Sequence, residues 1–170
     1  MVKVRQIQTL YKLPKIKISY KISSSELYNE IPKILSPKCA FNLVRHCFDH
    51  DTFDLQEEII LVCLNSRNIP IGFYSLSSGG TKCAILDPKI LLMIALGVGS
   101  NSIIIAHNHP SGSKNPSKAD HEITKRIATI CSSIGMPLLD HLIITKFDFF
   151  SFVKETNLIP SHYENELYIY

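Results

Sequence analysis

The stretch His107-Asn-His-Pro-Ser-Gly-Ser-Lys-Asn-Pro-Ser-Lys-Ala-Asp120, entered from the apolar run Ser102-Ile-Ile-Ile-Ala106, sets two histidines one residue apart and follows them with a serine and an aspartate. Side chains at i and i+2 of an extended segment project to the same side, so His107 and His109 can offer ring nitrogens to one ion while Asn108 turns away. Asp120 can supply an oxygen as third ligand. Three protein ligands leave a fourth tetrahedral position for water, which is the arrangement of a hydrolytic zinc site rather than a closed structural one. Two imidazoles and one carboxylate suit zinc better than magnesium or calcium, which take oxygen ligands, and one ion per chain is expected.

The same residues carry a local reading. Ser117 and Asp120 form an S-x-x-D capping signature after Pro116, and Ile123, Ile127, Ile130 and Ile134 follow at helical spacing until Gly135. Capping and ligation are compatible, since a first-turn aspartate on a short tether can turn toward a metal while Ser117 caps. Farther out, Ser36-Pro37 opens a helix to Phe48, and Glu58 to Leu64 and Ile69 to Leu76 read as a hairpin across Asn65-Ser-Arg-Asn68. Ser77-Ser-Gly-Gly80 breaks the second strand. Asp87-Pro88 starts a helix with Ile90, Leu91, Ile94 and Val98 on one face, ended by Gly97 and Gly99. Asp140 opens an apolar strand through Ile144, and a last strand spans Phe149 to Val153. Strands interleaved with helices imply an α/β fold with a mixed β-sheet flanked by helices.

The full pattern, H-x-H, seven residues, then S-x-x-D, resembles the JAMM (MPN+) metalloprotease motif. His107-Asn-His-Pro-Ser-Gly112, Pro116-Ser117, Asp120 and Asp140-His-Leu-Ile-Ile144 are similar to the RadC-like branch of that superfamily, over roughly residues 37 to 155. The resemblance implies a JAB/MPN (cytidine-deaminase-like) architecture. It also implies a zinc metallopeptidase that hydrolyses a peptide or isopeptide bond, with the zinc acidifying a bound water and polarising the scissile carbonyl. The family pattern asks for a glutamate at the edge of an early strand, as general acid and base without binding the metal. Register with the family favours Glu57 for this role, with Glu58 as the alternative base. Ser117, by the same assignment, hydrogen-bonds the developing oxyanion.

Asp140 and His141 admit two readings, a group that orients a ligand imidazole from behind or a buried polar pair of the fold. His46, His50, His121 and His162 read as surface or capping residues.

Composition bounds the alternatives. The chain of 170 residues forms one domain over residues 37–170 with a basic arm and connector over residues 1–36. Lys3, Arg5, Lys12, Lys15, Lys17 and Lys21 stand in the first 21 residues with no acid; removing these six from the eighteen basic residues leaves twelve against fifteen acidic ones in the rest. The arm suits weak phosphate attraction, or equally a lysine-guarded edge strand over residues 15–21. Its tyrosines, Tyr11 and Tyr20, are too few for a stacking platform. A zinc nucleobase deaminase would need H-x-E and P-C-x-x-C, whereas this chain has H-x-H and no C-x-x-C. A nucleic-acid processing protein and a non-catalytic protein-binding module of the MPN type remain the other classes. Five cysteines, none in a C-x-x-C, read as small hydrophobes in a reducing cytoplasm, and no run reaches the ~18 apolar residues of a membrane span. Neither the scissile bond of the protein or peptide substrate nor an oligomeric state is written in the sequence.

Overall fold

The computed structural model describes residues 32–78 and 86–163; the arm and most of its connector, the strand expected at residues 15–21, Gly79-Gly80 and Cys83 lie outside them. A five-stranded sheet has the order β2-β1-β3-β4-β5, with β1 Glu58–Leu64, β2 Pro70–Ser78, β3 Ser102–Asn108, β4 Leu138–Ile144 and β5 Phe149–Ser151. β3 and β4 run parallel and the other neighbours antiparallel, so the sheet is mixed. β1, β3 and β4 read almost wholly apolar because they lie inside the sheet with both faces covered. One face carries Ile59, Leu61, Ile103, Ile105 and Ile143 against helices α2 (Pro88–Gly97) and α3 (Lys118–Ser133). The opposite face carries Ile60, Val62, Ile104, Leu142 and Ile144 against α1 (Pro37–Val44). The core reaches back to Ile34, which is fully buried and whose N–H donates to Asn68 O.

The hairpin closes as the turn residues dictate. Asn65 Oδ1 accepts from Arg67 N and Ile69 N, and Asn68 takes a positive φ of 56°, which asparagine tolerates. Ser36, Asp87 and Ser117 cap α1, α2 and α3.

Four element bounds differ from the sequence reading. α1 stops at Val44 rather than Phe48, where the chain tightens through His46 N to Leu43 O and Cys47 N to Val44 O, and Phe48 is used instead to pack edge-on against Phe53. β2 runs through Ser77 to Ser78 because pairing with Ile59 and Glu58 continues there. β4 begins two residues before Asp140. The expected strand to Val153 ends at Ser151, whose side chain accepts from Lys154 N and starts the helical turn α4, Phe152–Glu155.

Two helix faces are also rotated. α2 buries Leu91 and Ala95 while Ile90 is 41% exposed, since a helix apolar all round gives periodicity nothing to choose with. α3 buries Thr124, Ile127 and Cys131 and exposes Ile134.

Candidate metal centre

The antiparallel register of β1 on β3 pairs Ile59 with His107. Continued two residues outward, that register sets Glu57 opposite His109, and directly opposed residues share a face. Glu57, His107 and His109 accordingly bring ligand-capable atoms within 4.8 Å of one another. Glu58 falls on the other parity, and its Oε1 accepts from Ser75 Oγ at 2.6 Å on β2.

α3 delivers Asp120 to the same point. His107 Nε2 and His109 Nε2 lie 3.0 Å apart, with Asp120 Oδ1 3.3 Å from the first and Asp120 Oδ2 3.9 Å from the second. Asp120 sits there because its turn is closed by a capping box. Ser117 Oγ accepts from Asp120 N at 3.1 Å, while Ser117 N and Ser117 Oγ donate to Asp120 Oδ2 at 2.7 and 2.6 Å. Capping therefore engages Oδ2, which still lies 3.9 Å from His109 Nε2, and leaves Oδ1 toward His107.

These atoms form one wall of a cavity of about 540 Å³ between the sheet and α3, whose apolar walls include Leu86, Ile105, Ile123 and Ile127. Ser117 and His141 also line it. Burial, partly opposed by the Asp120 carboxylate, holds the His107 imidazole down at about 4, so it is neutral near pH 7. His109 Nδ1 is 2.7 Å from Ser113 O. A carbonyl only accepts, so Nδ1 of His109 is the donor in this contact, and the tautomer that makes it leaves a lone pair on Nε2. Lone pairs and carboxylate oxygens facing one another in a half-enclosed site form a donor set that a small cation completes, and imidazole with carboxylate fits zinc.

Asp140 and His141 part company. His141 Nε2 lies 2.9 Å from His107 Nδ1, and its ring stacks on Phe152 at 4.9 Å. Asp140 turns to the opposite face, where it accepts from Ser151 Oγ, Tyr163 Oη, Val153 N and His141 N. The carboxylate does not touch the imidazole beside it in sequence. His46, His50 and His162 are exposed, and His121 packs edge-on against Phe152.

Two residues escaped sequence reasoning. Asn108, fully buried, accepts from Glu58 N at 2.7 Å and donates to Gln56 O at 2.9 Å and Phe53 O at 2.6 Å, so it grips the chain on both sides of Glu57. The signal for it was a polar residue at a strand position facing the opposite core. Thr124 Oγ1 lies 2.6 Å from His141 Nδ1 and donates to Asp120 O. Its signal was a polar residue one turn beyond Asp120, on the stripe that continues with Ile127 and Cys131.

The profile of the RadC-like JAB domain matches residues 34–158. A UPF0758 protein of Flavobacterium johnsoniae is 38% identical over 126 residues, which cover 74% of this chain and 54% of that protein. A UPF0758 protein of Streptococcus suis is 34% identical over 151 residues, covering 88% of this chain and 59% of the relative. One from Aquifex aeolicus is 32% identical over 155 residues, covering 91% and 62%. The chain thus spans little more than half the length of these curated relatives.

Proposed function

From a chain that belongs to the RadC-like JAB domain family, we propose a zinc-dependent hydrolase of the metallopeptidase type, acting on a peptide or isopeptide bond in a protein or peptide substrate. The observation that carries the reading is the convergence of His107 Nε2, His109 Nε2 and the Asp120 carboxylate at the wall of a cavity. These three residues would hold one zinc per chain. When bound, zinc supplies a Lewis acid that acidifies water and polarises a carbonyl.

Glu57 shares the cavity wall with the histidines, and its carboxylate is within ligand reach of both. We assign it to proton movement and Asp120 to ligation, because Asp120 is braced by Ser117 from a helix whereas Glu57 stands just before β1. Glu57 takes the proton of the attacking water and returns it to the leaving amine. Ser117 lines the same cavity; a turn of its hydroxyl from Asp120 Oδ2 would aim it at the substrate oxygen that becomes negative. The apolar walls exclude water and strengthen each of these interactions. Among the described residues no helix is long and apolar enough to cross a membrane, and the four cysteines are free, which suits a reducing cytoplasm.

Elemental analysis of purified protein tests the site. About one zinc per chain is expected in the wild type, and wild-type content in His107→Ala, His109→Ala and Asp120→Ala together would sink the assignment.

A further inference from the structure

A ligand imidazole is useful only if the nitrogen facing the metal is bare, and which nitrogen is bare is decided behind the ring. For His107 the structure contains a chain of contacts that decides it. His107 Nδ1 meets His141 Nε2 at 2.9 Å, His141 Nδ1 meets Thr124 Oγ1 at 2.6 Å, and Thr124 Oγ1 meets Asp120 O at 2.5 Å. All three side chains are buried, with His107, Thr124 and His141 at most 3% exposed.

The direction of the chain follows from its far end. Asp120 O is a carbonyl and can only accept, so the single hydroxyl proton of Thr124 is committed to it. Helical threonine commonly makes this bond to the residue four positions back. Thr124 Oγ1 then has only lone pairs for His141, so His141 carries its proton on Nδ1. A ring only 3% exposed, held between Thr124 Oγ1, His107 Nδ1 and the face of Phe152, carries one proton, so His141 Nε2 is bare and accepts from His107 Nδ1–H. His107 is in turn bare at Nε2, the atom facing His109 Nε2 and Asp120 Oδ1. Reversing the chain would turn the hydroxyl proton to His141 and leave the Thr124 and Asp120 oxygens lone pair against lone pair at 2.5 Å.

We propose that Thr124, acting through His141, is a positioning residue that fixes the tautomer of His107 and holds its Nε2 lone pair toward the ion. The circuit closes on Asp120, so the backbone of one ligand residue sets the ring proton of another. Phe152, stacked 13° from parallel on His141, keeps the intermediate ring in plane. The affinity part of this proposal rests on the zinc reading above; the tautomer part does not.

The test uses Thr124→Val, which keeps the branched shape and removes the hydroxyl, and Thr124→Ser, which restores it. Imidazole 15N–1H correlation spectra of metal-free protein at pH 8 should show wild-type His107 and His141 protonated on Nδ1. Thr124→Val should give a mixture of tautomers, and Thr124→Ser the wild-type pattern. Chelator competition should show zinc bound about 10- to 100-fold more weakly by Thr124→Val, the usual cost of losing such support, with melting of the metal-free protein showing that the variant is folded. A wild-type His107 protonated on Nε2 would overturn the proposal, even if Thr124→Val failed to fold. Zinc affinity of folded Thr124→Val within twofold of wild type would overturn it too. Wild type that binds no zinc but shows both Nδ1 protons would support the tautomer assignment while refuting the metal reading.

Discussion

Asp140 and His141 are adjacent on β4 and belong to two clusters of opposite character, one on each face of the sheet. Around Asp140, four donors meet one carboxylate: two hydroxyls on Oδ2 and two backbone N–H groups on Oδ1. Every acceptor is used, and the group ties β4 to β5, to the first turn of α4 and to Tyr163. Around His107, acceptors face acceptors, with two imidazole nitrogens and the oxygens of Asp120 and Glu57 crowded at one cavity wall. Both clusters are buried or nearly so, which means that burial alone does not separate a structural cluster from one that could hold an ion. The balance of donors and acceptors does, because a saturated cluster needs no further partner and a cluster of facing lone pairs calls for a cation.

The largest expected difference between the two clusters is in metal content. His107→Ala, His109→Ala or Asp120→Ala should each take zinc from about one per chain to near zero, measured by elemental analysis after exhaustive dialysis. Asp140→Asn should keep its zinc. If Asp140→Asn released zinc as fully as those three variants, the two clusters would be one functional unit.

Next in size is the effect of pH on stability. Burial, only partly offset by its hydrogen bonds, pushes Asp140 up from 3.8 to about 6. Between those values the folded protein holds a proton that the unfolded chain has lost, so the contribution of Asp140 is fully present below about pH 4 and declines as pH rises through about 6. The loss amounts to about 3 kcal/mol. His107 and His141, kept neutral by burial, act in the opposite sense and are destabilising as pH falls below their ordinary 6.5. The difference between wild type and Asp140→Asn isolates the aspartate, since asparagine can accept the two N–H groups and donate to the two hydroxyls. Denaturant melts of metal-free protein from pH 4 to pH 8 should show wild type losing stability relative to Asp140→Asn as pH rises. A constant difference would mean that the carboxylate stays ionised throughout.

How much of each cluster could be read from the sequence follows from the range of the interactions that build it. His107, His109 and Asp120 needed only strand parity and a helix cap, both local, and the mixed sheet flanked by helices followed from alternating elements. Placing Glu57 and not Glu58 beside the histidines needs the pairing of β1 with β3, about 50 residues away along the chain, which no local pattern encodes. Parity did contain the separation of Asp140 from His141, because neighbours in a strand face opposite ways. Thr124 was hidden by the isoleucines of α3, whose regular spacing suggested a stripe that the folded helix rotates away from, to bring a hydroxyl under His141.

At the open cluster the two glutamates should differ in effect by about 2.7 kcal/mol. Glu57→Gln keeps size and hydrogen-bonding reach but cannot take a proton. It should retain zinc and lose about 10²-fold in turnover on any substrate found. Glu58→Gln, which alters a contact with Ser75 on the outer strand, should stay near wild type. Loss of zinc from Glu57→Gln would instead make Glu57 a ligand.

The smallest effect is expected at the rim of the open cluster. His109 is oriented by Ser113 O, and the next residue, Lys114, pairs with Asp148 in the turn between β4 and β5. Both partners are about half exposed, and the Lys114 hydrogen bond holds the Asp148 carboxyl below its usual range. Solvent and salt screen such a pair, so it contributes about 0–1 kcal/mol. The loop has a firmer hold in its own backbone, through His109 N to Ile144 O and Gly112 N to His109 O, with Gly112 at φ 75° as the bend requires. Lys114→Met should therefore shift the melting temperature by less than about 4 °C and leave zinc affinity within about twofold of wild type, in contrast to the expected weakening from the interior Thr124→Val. A tenfold loss of zinc affinity in Lys114→Met would show that the orientation of His109 is set from the surface rather than by the backbone of its own loop.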